Sequence, residues 1–342
     1  MLIKKVKIPF KTIATIGLLP SFIKKVIYRA KGYKIGKNVS IGFGSVIIGK
    51  KIMIEDHVKI GLLTIIRGEE ILIERYATIG SFTVIDTGKV RIGEDARINE
   101  QVIIGGMKTP QSSFDMGKRT IVMEYSFINT TMPVTIGDDS GIGGHCLLFT
   151  HGSWLNQLDG FPVTFAPITL GKKVWLPWRV FIMPGVTIGD EVVIGANSLI
   201  SSNLPSNVLA AGSPAKILKE NYPPKITEEK RLEIINLIFN EFVTYLEYNQ
   251  IKTERKNIKE GAILFVKKKK KDYCLVYLNE MPDKDILPKK IDSLVIDTKN
   301  ENSIAAAMIL NLQTKTRIGS TALGEEFAKY LSRHGIRLDR LD

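Results

Sequence analysis

Aliphatic residues recur along this chain at every sixth position. Ile35, Ile41 and Ile47 form one row of three, followed by Ile54, Ile60 and Ile66, then Ile73, Ile79 and Ile85, then Ile92, Ile98 and Ile104. The rows begin 19 residues apart, at 35, 54, 73 and 92. A later run at 170, 176, 182, 188, 194 and 200 reads Leu, Leu, Ile, Ile, Ile, Ile. A period of six matches neither the 3.6 of a helix nor the 2 of an isolated strand. It matches a solenoid with three short strands per turn, in which the repeated residue points inward and stacking neighbours bury the interior. A sandwich of short strands would not hold this period. The pattern therefore predicts a parallel β-helix over residues 35–221. Glycine often follows the aliphatic residue, as at 36, 42, 61, 80, 93 and 137, and is expected to serve tight corners.

The repeat breaks twice, at residues 105–117 and at residues 149–167. Insertions in a repeat protein become loops on one face, often the working face. Two of the four histidines flank the start of the second break: His145, at a turn position, and His151, which opens the loop. The loop itself carries Trp154, Phe161 and Phe165, which mark it as a substrate loop. Imidazole titrates near neutrality and suits a general base. Cys146, beside His145, is read as a packing residue ahead of a nucleophile.

Residues 168–219 closely resemble the end of the hexapeptide-repeat acyltransferases, a family that includes maltose, galactoside, xenobiotic and surface-glycan O-acetyltransferases. The resemblance is carried by Val174-Trp175, Met183-Pro184-Gly185-Val186-Thr187-Ile188-Gly189, Ile194-Gly195-Ala196-Asn197-Ser198 and Ala211-Gly212-Ser213-Pro214-Ala215-Lys216. It implies a left-handed β-helix, a homotrimer, and active sites between subunits with acyl-CoA along the helix edge. It also implies His151 as the base acting on a sugar or glycan hydroxyl; His145, one hexapeptide earlier, is the second catalytic candidate, its alternative being a corner residue that bonds across coils. The implied CoA contacts are Trp178, Gly195, Ala196, Ser198, Gly212 and Lys216. Where the family has small residues, this chain has Pro177 and Trp178. Either the pantetheine arm takes another course there, or Trp178 lines the acyl or acceptor pocket, or it packs between subunits.

A zinc site of three histidines would need His57 as its third ligand. His57 lies about four turns from the pair, roughly 19 Å at ~4.8 Å per strand, while zinc–nitrogen bonds are about 2 Å. No metal is expected.

Charge divides the chain. Residues 1–34 hold nine Lys or Arg and no acid, whereas residues 35–221 hold seventeen of each sign. A neutral solenoid lacks the basic groove that nucleic acid requires. The basic arm is read as a helix N-capped by Ser21, with Phe22, Ile23, Val26 and Ile27 on one face and Lys24, Lys25 and Arg29 on the other. Such a helix caps the open end of the solenoid, lies on an anionic membrane surface, or does both. Two cysteines and the lack of a signal-peptide layout fit a cytoplasmic protein, with the arm at the inner membrane face.

After Pro223-Pro224 the repeat ends. Residues 225–342 are read as a small α/β accessory domain with helices over 227–249 and 321–334. Strands are expected at 262–266, 273–278, 294–296 and 307–312, the first two joined by a five-lysine turn. This domain offers a dock for an acyl carrier protein, a second acyl donor besides acyl-CoA, or for a partner enzyme or the acceptor. A non-catalytic trimeric scaffold is the reading from a different class.

Overall fold

The computed structural model describes residues 9–268, 271–280, 287–288, 290–297 and 304–341. Lys269 and Lys270, the centre of the five-lysine turn, lie outside the described residues. The chain divides into two compact units, one ending at Pro224 and one starting at Lys225.

The first unit is the expected parallel β-helix. Three sheets run its length. The first has eight strands, from Lys34–Ile35 to Thr187–Ile188. The second runs from Ser40–Ile41 through Val193–Ile194 to the hairpin Val208–Gly212 and Ala215–Glu220, and the third from Val46–Ile48 to Leu199–Ile200. Coils stack in parallel register, so that Ile35 pairs with Ile54, Ile41 with Ile60 and Ile47 with Ile66. The repeated aliphatic residues form one inward column per sheet, and all are buried.

The corners correct the expectation for glycine. The left-handed backbone positions belong largely to other residues, at Asn38 (φ 54°), His57 (φ 63°), Tyr76 (φ 62°) and Asp95 (φ 53°), again 19 residues apart. The glycines after the aliphatic positions are required by stacking instead. A Cβ on Gly137 would lie 2.6 Å from the carbonyl carbon and oxygen of Gly171 in the next coil. No real contact is that short, so the close approach of backbones, not φ, selects glycine here.

A second column runs inside the turn between the second and third sheets. Its hydroxyls donate to carbonyls of the following coil: Ser45 to Gly61 (2.6 Å), Thr64 to Gly80 (2.8 Å), Thr83 to Asn99 (3.0 Å) and Ser126 to Gly143 (2.8 Å). Cys146 occupies the next place in this column, its Sγ 3.0 Å from the Pro177 carbonyl.

The arm caps the first coil through the Ser21–Ala30 helix, with two differences from the sequence reading. The N-cap is Pro20, and Ser21 instead accepts the Ile41 amide at 3.0 Å. Lys24 and Tyr28 face the solenoid and are fully buried, while Phe22 and Val26 are exposed. Lys24 Nζ donates to the carbonyls of Gly42 (2.5 Å) and Ser45 (3.1 Å), and the Tyr28 hydroxyl accepts the Ile47 amide at 2.9 Å. The first coil has no preceding coil to satisfy these backbone groups. Polar side chains therefore take the inner face that amphipathic patterning assigns to apolar ones.

The second unit is a seven-stranded mixed sheet, beginning with Lys252–Ile258 and ending with Asp339–Arg340. The helices Glu228–Tyr248 and Ala322–Arg333 pack on one face through Phe239, Phe242 and Phe327. The expected strands are present. Lys252–Ile258, Thr316–Gly319 and Asp339–Arg340 are additional.

Candidate active site

Both insertions leave the solenoid at the same corner. Residues 106–112 follow the third-sheet strand Ile103–Gly105, and residues 149–167 follow the third-sheet strand Leu147–Leu148. His151 opens the second insertion, where His151–Gly152 pairs antiparallel with Thr164–Phe165. The Phe165 ring stacks on the imidazole with centroids 5.5 Å apart.

The imidazole is held from the coil beneath. Its Nδ1 lies 3.2 Å from Oδ1 of Asn129, a buried residue that follows the inward Ile128. The same oxygen accepts the Thr131 amide (3.1 Å) and the Thr150 hydroxyl (2.9 Å). An oxygen receiving two donors is an acceptor, so the proton of the third bond sits on His151 Nδ1. In the neutral imidazole Nε2 then keeps its lone pair, the tautomer a general base needs. The network continues outward: Met107 donates its amide to Thr131 Oγ1 (3.1 Å), and Thr109 and Ser112 donate to the Thr131 carbonyl (2.8 and 3.1 Å). Hydrogen bonds thus tie the first insertion to the histidine of the second. Of the loop aromatics, Phe165 meets the imidazole, Phe161 is half-exposed and Trp154 is almost fully exposed (96%).

His145 stands at a different corner, between the second and third sheets, with φ 56°. Its ring lies between Tyr125 (4.9 Å) and Trp178 (5.5 Å). Five residues separate it from His151, and the third-sheet strand Leu147–Leu148 lies between the two. The two histidines therefore bracket the third sheet rather than meet. Trp178, Gly195 and Ala196 follow His145 up this corner in successive coils: the Arg179 amide reaches Gly144 and the Asn197 amide reaches Trp178. Trp178 is half-exposed and lies over Gly144, which has no side chain to displace it. The Ser198 hydroxyl is buried, donating to the Gly195 carbonyl (2.7 Å) and accepting the Gly212 amide (3.0 Å). Lys216 is exposed on the closing hairpin opposite Ala211.

The other candidates fall away from this region. His57 stacks on Tyr76 at the corner after the first sheet (4.8 Å), and His334 of the second unit lies 3.3 Å from Glu241. Among the described residues no group of three His, Cys, Asp or Glu side chains converges on a common point. Burial pushes the Cys146 thiol up to about 11, which leaves almost no thiolate at neutral pH.

No protein-family model matches the chain. Curated relatives do. The galactoside O-acetyltransferase of Escherichia coli K12 is 40% identical over 104 residues, covering 30% of this chain and 47% of that protein. A protein of the same strain provisionally named colanic acid biosynthesis acetyltransferase WcaF is 42% identical over 87 residues, covering 25% of this chain and 47% of that one. The chain thus spans about half the length of these relatives. Among solved structures, a polySia-specific acetyltransferase, NeuO, aligns with a TM-score of 0.38 and 22% identity over 58% of this chain and 85% of that one. The fold assignment rests on the strand ladder rather than on that alignment. What the solenoid's sequence resembles is the acetyltransferase branch of the hexapeptide-repeat proteins.

Proposed function

We propose that this chain transfers an acetyl or other short acyl group from acyl-CoA to a hydroxyl of a sugar or glycan precursor. The observation that carries the reading is the His151–Asn129 hydrogen bond at the mouth of the second insertion. Nε2 of His151 takes the proton of the acceptor hydroxyl as its oxygen attacks the thioester carbonyl. The tetrahedral intermediate collapses with cleavage of the C–S bond. The departing thiolate takes the proton from the imidazolium, giving an ester and free CoA. No metal is assigned a role.

Acyl-CoA is proposed to run along the corner of Trp178, Gly195 and Ala196, where small residues leave the backbone open, with Lys216 placed for a CoA phosphate. His145 lines this path and does not take the proton. Ser198 and Gly212 hold the corner's shape. Because His151 and the CoA corner bracket the third sheet, one chain does not bring them together. A homotrimer in which each site spans two copies resolves this. Support comes from the outer column of the third sheet, where Ile103, Phe127, Leu147, Phe181 and Leu199 align. The equivalent column of the first sheet carries Arg91, Asp115, Thr135, Thr169 and Thr187.

The test is acceptor-dependent thiol release from acetyl-CoA across a panel of hexopyranosides, run beside an acetylated acyl carrier protein. Thiol release that requires both acetyl-CoA and a sugar supports the proposal. Release from neither donor, together with no measurable CoA binding, contradicts it.

A further inference from the structure

The basic arm does more than close the solenoid, and its outer face is the part that the capping role leaves unexplained. The inner face caps the first coil through Ser21, Lys24 and Tyr28, and the Gly17 carbonyl before the helix takes the Gly44 amide. A cap that only closes a solenoid turns a polar outer face to water, because solubility depends on it. Here the outer face is apolar where it should be polar: Phe22 is 66% exposed and Val26, one turn later, 63%. Leu18 and Phe10, just before the helix, are exposed at 48% and 70%. The same helix carries Lys25 and Arg29, Lys11, Lys31 and Lys34 are exposed, and no acidic residue occurs anywhere in positions 1–34. Arg29 stays anchored through the Ile35 and Gly36 carbonyls while keeping its charge at the surface.

We infer that this end of the solenoid docks on an anionic lipid bilayer. Phe22 and Val26 enter the headgroup–acyl boundary, and the neighbouring cations meet lipid phosphates. Exposed bulky apolar side chains interleaved with cations of one sign match the two terms of interfacial binding, apolar burial and attraction to anionic lipid. The described helices include none long and apolar enough to cross a membrane, so the contact would be peripheral. A neutral surface would leave the charge unused, and a second copy of the same arm would bring like charges together. The inner face explains how the face is presented: Lys24 and Tyr28 fix the helix on a rigid scaffold, so binding needs no ordering of the helix.

The experiment is flotation of the 342-residue chain with vesicles of phosphatidylcholine alone or with 30% phosphatidylglycerol. A Phe22→Ser/Val26→Ser variant and a Lys25→Glu/Lys31→Glu variant are run in parallel. Circular dichroism melting and sedimentation velocity of each variant confirm that fold and assembly are retained. The inference predicts binding to the anionic vesicles only, weakened at least tenfold in both variants and reduced by salt. It is overturned if the protein floats with neither vesicle, if it binds both equally, or if well-folded variants bind as the parent does. It is also overturned if sedimentation reveals self-association that the Phe22/Val26 substitutions abolish, since the face would then belong to a second copy.

Discussion

Replacing Asn129 with Leu removes the one oxygen on which three donors converge and keeps the branching of the side chain. The structure separates the consequences. The Thr150 hydroxyl keeps the Asn129 backbone carbonyl, 3.0 Å away, and loses nothing essential. The half-buried imidazole can turn to water. The Thr131 amide alone is stranded inside, at a cost of about 1–3 kcal/mol. For a unit of this size that corresponds to a melting temperature lower by roughly 2–12 °C, so the protein remains folded. The effect on rate comes from the lost anchor at Nδ1. A hydrogen bond to a group that becomes charged contributes about 1.5–3 kcal/mol, so the turnover number should fall roughly 10- to 150-fold. Asn129 is buried beneath the imidazole and, on the proposed reaction, acts through His151, so KM for the acceptor and the affinity for CoA should stay within about twofold of the parent. Steady-state kinetics beside a melting curve reads all of these. A folded Asn129→Leu protein with the expected drop in melting temperature but an undiminished turnover number would refute the positioning role.

Other expectations follow from the solenoid's interior. Cys146→Ser places there the hydroxyl that Ser126 carries one coil earlier, so stability should change by less than about 1 kcal/mol and transfer should continue at the parental rate; loss of activity in a folded protein would revive the cysteine as a nucleophile. With the thiol pushed up to about 11, its labelling by a maleimide in the native protein should be slow at pH 7 and rise about tenfold per pH unit below that value. Gly137→Ala places a methyl against the Gly171 carbonyl and should destabilise the unit by at least about 1–3 kcal/mol in urea melts; a neutral effect would mean that the coils separate more easily than the ladder implies.

The fold was legible because it is written in one variable, inward aliphatic residues at a fixed period, and each coil repeats the message. What the sequence concealed are features that depend on the neighbouring coil. Gly137 and Gly61 look like turn residues in a linear reading, and only the stacked backbone reveals that a Cβ has no room. Lys24 looks like a solvent-facing charge by helical period, yet the first coil's open carbonyls draw it inward. Burial lowers the Lys24 pKa from its usual value, consistent with an ammonium held at the end of an apolar core. Asn129 was missed for a related reason. It follows the inward Ile128 at a position held by Arg67, Asp86 and Gly105 in earlier coils, so no periodic signal marks it. Laying coil upon coil would have placed it beneath the loop that His151 opens. In the second unit, Lys252–Ile258 escaped notice because it is a charged edge strand, KTERKNI, with no apolar alternation to betray it.

The proposed acyl transfer stands or falls with His151 as its base. The most direct measurement is the rate of acetyl transfer by His151→Ala at saturating acetyl-CoA and acceptor, with CoA binding measured on the same preparation. A general base typically contributes about 10²–10⁴-fold. Turnover should be at least about a hundredfold slower with CoA affinity unchanged; a folded variant that transfers at nearly the parental rate would rule out His151 as the base.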